Sequence, residues 1–189
     1  MNVSTSTTAE DTPRSQGILH RWPSALGLAV AALQLARDPD TETVATVIVV
    51  AALCYLGAAA FDRRWIAWAG IVVFSLPLVA SQELGLAWWA VGGTVALALV
   101  VVGLLGGVPH PPLTAQTAAL LGYGGVVVAA LVLAPRVGLA LAGVALAAHS
   151  VWDVLHYRRN QVVHRSLAEF CVLLDVPLGV GAVVLAIAG

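Results

Sequence analysis

Lysine is missing altogether, and the nine basic residues of this 189-residue chain are all arginine. With no lysine amine, no Schiff base can form on a side chain, which excludes carbonyl chemistry of that kind and a retinal-type pigment. Charge of either sign is scarce, at 10% of residues against roughly 25% in an ordinary soluble domain. Positions 84–135 contain no Asp, Glu, Lys or Arg, and a fold facing water would need charge in so long a stretch. Only two cysteines occur. Both Cys54 and Cys171 sit in apolar runs, where a thiol behaves as a small buried hydrophobe, so no disulfide framework is inferred. Nine basic residues against ten acidic ones give a formal net charge of −1. That balance offers no excess positive charge for a polyanion, and no nucleic-acid partner is expected.

What is present is apolar: 60% of the residues are hydrophobic. Segments of near-spanning length alternate with short clusters of charge, Pro or Gly, and a segment needs about 20 residues to cross the hydrocarbon. Backbone groups in lipid must be satisfied within the segment, and no alternating barrel pattern appears, so the spans are helices. The expected fold is an all-α, polytopic membrane bundle of about seven helices, at 22–36, 41–61, 65–81, 86–106, 112–133, 137–157 and 163–187. Residues 1–17, rich in Ser and Thr, read as a disordered tail and 18–189 as the bundle. The Asn2-Val3-Ser4 sequon in that tail reads as chance. The first segment is short and resembles a signal peptide, with Arg14 and Arg21 before it and Ala29-Val30-Ala31 within it. A retained helix preserves the charge sorting better.

With a cytoplasmic N-terminus and the C-terminus outside, Arg14, Arg21, Arg63, Arg64, Arg158, Arg159 and Arg165 fall on the inner side. Arg37 and Arg136 fall on the outer side. This is the positive-inside pattern, and it places the chain in the cell membrane as a multi-pass protein with the lipid bilayer as its first partner. Trp22, Trp65, Trp88 and Trp89 fall at helix ends as an aromatic belt would. Pro77 and Pro177 lie inside helices, where each removes a backbone hydrogen bond and favours a kink. Gly103 and Gly107 form a Gly-x-x-x-Gly pair that permits close helix approach, within the chain or in a homo-oligomer.

Embedded polar residues concentrate in one place, His149-Ser150-Val151-Trp152-Asp153-Val154-Leu155-His156, followed by His164, Glu169, Cys171 and Asp175. Spacings of four and three put His149, Asp153 and His156 on one helical face. His164, Cys171 and Asp175 share a stripe on the next helix, and a turn near Asn160 folds the two stripes together. Equal lengths from that turn set His149 beside Cys171 and His156 beside His164. A carboxylate near the midplane costs about 2.5–3.5 kcal/mol to insert, so Asp175 marks a functional candidate facing the interior.

His and carboxylate side chains suit a divalent metal such as Zn, Fe or Mn. The spacing allows two ligand sets, Asp153 with His156 and His164 near the interface, or His149 with Asp153 and Asp175 deeper in. Acid–base work falls to His149, Asp153, Glu169 and Asp175. The bland alternative is structural glue, with His149 and Asp153 bonded within one helix and Glu169 paired with Arg165. Arg158, Arg159 and Arg165 are topology anchors that could also hold the phosphate of a lipid head group. The Ser, His and Asp content of a seven-helix bundle loosely resembles the membrane hydrolases that include alkaline ceramidases and adiponectin-type receptors. Their terminal His-x-x-x-His pair is absent here, so no residue roles carry over.

Three functions follow as expectations. The first is a membrane-embedded, metal-dependent enzyme acting on a lipid or isoprenoid from the cytoplasmic leaflet. The second is a small transporter or proton relay, which needs polar access from both sides, whereas helices four and five offer almost nothing polar. The third is a non-catalytic assembly partner.

Overall fold

The computed structural model describes residues 21–188, so the 1–17 tail, its sequon and Arg14 lie outside the described residues. Among the described residues seven helices follow one another: α1 Trp22–Leu35, α2 Thr41–Ala60, α3 Ile66–Glu83, α4 Trp88–Leu105, α5 His110–Val132, α6 Pro135–Arg159 and α7 Arg165–Ala188. All but α1 are long and apolar enough to cross a membrane. At 14 residues α1 spans about 21 Å, short of a hydrocarbon core of about 30 Å.

The ends are set by local chemistry. Asp40 caps α2, its carboxylate accepting from the Thr43 N–H at 2.8 Å. Pro23, Pro111 and Pro135 occupy first-turn positions of α1, α5 and α6, where a missing N–H is harmless. Asn160 closes α6 in the left-handed conformation at φ 48°, and Val162 follows at φ 65°. Those two residues hold the α6–α7 turn open, so α6 ends and α7 begins two residues later than the sequence pattern implies.

Helix α2 is the axis of the bundle. It touches every helix from α3 to α7, and 78% of its apolar window is buried against 17% for α5. Large apolar side chains face outward around the rim, Leu105, Val132 and Ile187 among them. That arrangement suits a lipid solvent and would be costly in water. The Thr41 hydroxyl donates to the Pro135 carbonyl, placing the α1–α2 and α5–α6 turns at one end with Arg37 and Arg136. One cleft at the other end is lined by Arg63 and Arg64 of the α2–α3 turn, Pro111 of α5 and Arg159 of α6.

Two packing expectations are corrected. Gly103 does lie in a close approach, where an added Cβ would meet Leu113 and the Ala60 Cα within the same chain, but Gly107 is a turn residue at φ 63° with open space around it. The pair is therefore no common helix face. Trp88 is buried in the core, unlike the exposed Trp22, Trp65 and Trp89, so it is not part of a belt.

A close crossing, with a glycine on each side, joins α6 to α7. A Cβ added to Gly143 would lie 2.7 Å from the Gly179 carbonyl oxygen, and one added to Gly179 would lie 2.6 Å from that of Gly143. Backbone meets backbone there, as small residues allow in membranes. Substituting Gly143→Ala should therefore destabilise the bundle by about 1–3 kcal/mol through overpacking. Gly93→Ala, with open space around it, should be neutral or stabilising by up to about 1 kcal/mol. Unfolding in detergent micelles against added SDS reads both, and equal responses would overturn the assignment of that crossing.

Candidate metal centre

Because α6 and α7 touch at Gly143 and Gly179, the polar stripes behind that crossing are forced together. His149 stands ten residues before Arg159 and Asp175 ten residues after Arg165, so each lies about 15 Å from the turn. Equal depth brings His149 opposite Asp175, one helical turn beyond the expected neighbour Cys171. The His149 ring donates from Nδ1 to Asp175 Oδ2 at 2.9 Å and stands 3.3 Å from Asp153 Oδ2. All three side chains are within 1% of complete burial.

One ligand atom from each of His149, Asp153 and Asp175 lies within 4.8 Å of the others. Atoms bound about 2.1 Å from a metal and about 90° apart sit roughly 3.0 Å from each other, so the spacing around Nδ1 already matches that of a coordination shell. Asp153 Oδ2 and Asp175 Oδ1 find no hydrogen-bond partner among the described residues. Two carboxylates in a dry interior, each with an orphaned oxygen, require a compensating positive charge or protons. A divalent ion supplies that charge and would bind through those oxygens. Of the two ligand sets read from the sequence, the deeper one is brought together.

The shallower set is not. His156 hydrogen-bonds through both ring nitrogens. Trp152 Nε1–H donates to Gln116 Oε1 at 3.0 Å, which orients the amide so that its NH2 donates to His156 Nε2, also at 3.0 Å. His156 Nδ1 must then carry the proton and donate to the Trp152 carbonyl at 2.8 Å. His164 is exposed at the start of α7, its carbonyl accepting from the Leu167 and Ala168 N–H groups. Glu169 faces α1 rather than the cluster and accepts a hydrogen bond from the Ser24 hydroxyl. Arg165 does not pair with it; its guanidinium Nε–H donates to the Tyr157 carbonyl at 3.2 Å and lies over the Tyr157 ring.

Three participants come from elsewhere. Tyr55, at mid-α2, donates its hydroxyl to Asp153 Oδ1 at 2.6 Å and packs edge-on between His149 and His156. Tyr123 of α5 lays its ring against His149 with centroids 4.9 Å apart. Gln116 of α5, 2% exposed, corrects the expectation that this helix is almost free of polar groups. Tyr55 stands in a long apolar stretch of α2, while Gln116 and Tyr123 lie seven residues apart on one face of α5, and that placement was the available signal.

Cavities open at both ends of the bundle, and one of them reaches the cluster at Asp175. The Arg-lined cleft, about 560 Å³, has Gln116 and His156 in its wall. A second, about 700 Å³, runs from Arg37, Asp38 and Glu83 at the opposite end down to Cys54, Cys171 and Asp175. No protein-family model, curated protein or solved structure matches the chain.

Among the described residues the Tyr55 hydroxyl is the side-chain group that donates a hydrogen bond to Asp153. Replacing it in Tyr55→Phe leaves both Asp153 oxygens unpartnered and should lower stability in detergent by about 1–3 kcal/mol. An unchanged unfolding midpoint would show that Asp153 gains nothing from this bond.

Proposed function

We propose that this chain is a multi-pass cell-membrane enzyme, dependent on a divalent metal held by His149, Asp153 and Asp175. Its substrate is a lipid or isoprenoid that enters from the cytoplasmic leaflet. The observation that carries the reading is the convergence of those three buried side chains with two unsatisfied carboxylate oxygens. Held by His149, Asp153 and Asp175, a divalent ion would supply Lewis acidity and could activate a water at a position the three ligands leave open. Tyr55 holds Asp153 in place, and the Arg-lined cleft gives a polar substrate end access to the same region.

Metal analysis is the direct test. Purified protein should carry close to one equivalent of Zn, Fe or Mn, and His149→Ala or Asp175→Asn should lose it while remaining monodisperse. Protein that stays metal-free after incubation with all three ions sinks the reading.

A second reading is favoured by one specific observation, the cleft that reaches Asp175 from the end opposite the arginines. With Asp175 reached from that end and His156 lining the Arg-lined cleft at the other, Asp175, His149 and Asp153 could pass protons between two compartments. Proton flux into proteoliposomes, abolished by Asp175→Asn in a protein that binds no metal, would establish the relay; its absence would remove it.

Orientation rests on the arginines. The α2–α3 and α6–α7 turns, with Arg63, Arg64, Arg158 and Arg159, belong on the cytoplasmic side. A reporter introduced by Gln161→Cys should react with a membrane-impermeant maleimide only after cells are opened, since the native Cys54 and Cys171 are buried. Labelling of intact cells would invert the topology.

A further inference from the structure

The Arg-lined cleft is not an isolated depression. It shares Ala115 and Trp152 with a third cavity, an apolar groove of about 720 Å³ running along the outer face between α5 and α6. The two have opposite character. The groove is lined by small and aliphatic side chains, such as Ala118, Val126 and Val144, with Tyr123 beside them where its ring backs onto His149. The cleft gathers Arg63, Arg64 and Arg159 with a lone carboxylate, Asp62. Among the described residues none of these three arginines stands within ion-pair distance of a carboxylate. Gln116 is 2% exposed, and only one of its two amide hydrogens is engaged, by His156.

We propose that cleft and groove form one site for a phosphate-headed lipid, its head group held by Arg63, Arg64 and Arg159 and one apolar chain laid between α5 and α6. Three unpaired guanidiniums converging on one cleft match a phosphate, whose oxygens accept paired N–H donors. A carboxylate-headed amphiphile offers fewer acceptors and less charge. The tail replaces bilayer contacts with equivalent apolar ones, so its role is to fix position, and discrimination comes from the head group. The occupant would lie along Trp152 and Tyr123, both in ring contact with the histidines that flank Tyr55. The inference deepens the enzyme reading by naming a substrate class, and it rests on that reading only for the chemistry that follows binding.

Full-length protein in neutral detergent is incubated with dioleoyl phosphatidate, dioleoyl phosphatidylcholine or inorganic phosphate, and retained ligand is read by native mass spectrometry with metal content measured on the same sample. Phosphatidate should be retained at least tenfold more than phosphatidylcholine, whose choline cation opposes the arginines, and inorganic phosphate should not be retained. Combining Arg63→Ala with Arg159→Ala should reduce phosphatidate retention at least tenfold. Ala118→Trp, at an exposed position in the groove, should do the same with every arginine intact. Equal retention of the two lipids, or unchanged retention in both variants, overturns the proposal. Selective retention by metal-free protein supports the lipid site while removing the enzyme. Metal-loaded protein without selectivity removes the lipid site and leaves the enzyme standing.

Discussion

The bundle is organised around a cost, the burial of two carboxylates and an imidazole in its interior. Each buried carboxylate would cost about 2.5–3.5 kcal/mol at the bilayer centre if left to lipid. The 2.9 Å contact between His149 and Asp175 offsets part of that only while α6 and α7 hold their relative position. The Gly143–Gly179 crossing holds it, because no side chain stands between the two backbones to let them slide apart. Tyr55 then ties the pair to α2, the helix that contacts all the later ones. Packing and polar chemistry are thus one constraint, since loosening the crossing would strand both acids.

Much of this was legible from residue spacing. The 149–153–156 face, the stripe carrying Asp175 and the turn between them follow from helical periodicity, and the arginine-free, acid-free middle of the chain marks the lipid-facing helices. Register was not legible. Asn160 and Val162 adopt left-handed backbone conformations, which no periodicity announces for a valine, and the resulting shift of two residues at each helix end moves His149 from Cys171 to Asp175. The close approach was misread for a related reason. A Gly-x-x-x-Gly pattern is visible within one helix, whereas the contact that matters takes one glycine from each of two helices. Tyr55 escaped because no polar residue accompanies it at helical spacing, whereas Gln116 and Tyr123, seven residues apart, share a face of α5 that carries no Asp, Glu, Arg or His to mark it.

The distribution of polar groups is asymmetric in depth. His156 lines the Arg-rich cleft with both ring nitrogens occupied, in the single tautomer that Gln116 and Trp152 permit. It is therefore better suited to shaping a wall than to exchanging protons or binding an ion. Asp175 lines the opposite cleft with an orphaned oxygen. One cavity meets the cluster at Asp175, while the Arg-lined cleft and the apolar groove lie beside His156 and Tyr123. An ion could thus reach the centre by one route and an amphiphile approach it by another, without either blocking its counterpart.

Electroneutrality limits what can occupy the centre. Two ionised carboxylates beside a neutral imidazole carry two negative charges, and a dry interior tolerates that only with two positive ones added. A divalent ion meets the requirement in a single step, and so do two protons. Protons would be held between the two carboxylates and the His149 ring, which stands 2.9 Å from one and 3.3 Å from the other. A cation instead makes use of orphaned oxygens, and it must displace the proton from His149 Nδ1 in order to bind there. Metal uptake at this centre would therefore release protons and weaken as pH falls, a coupling that follows from the ligand set itself.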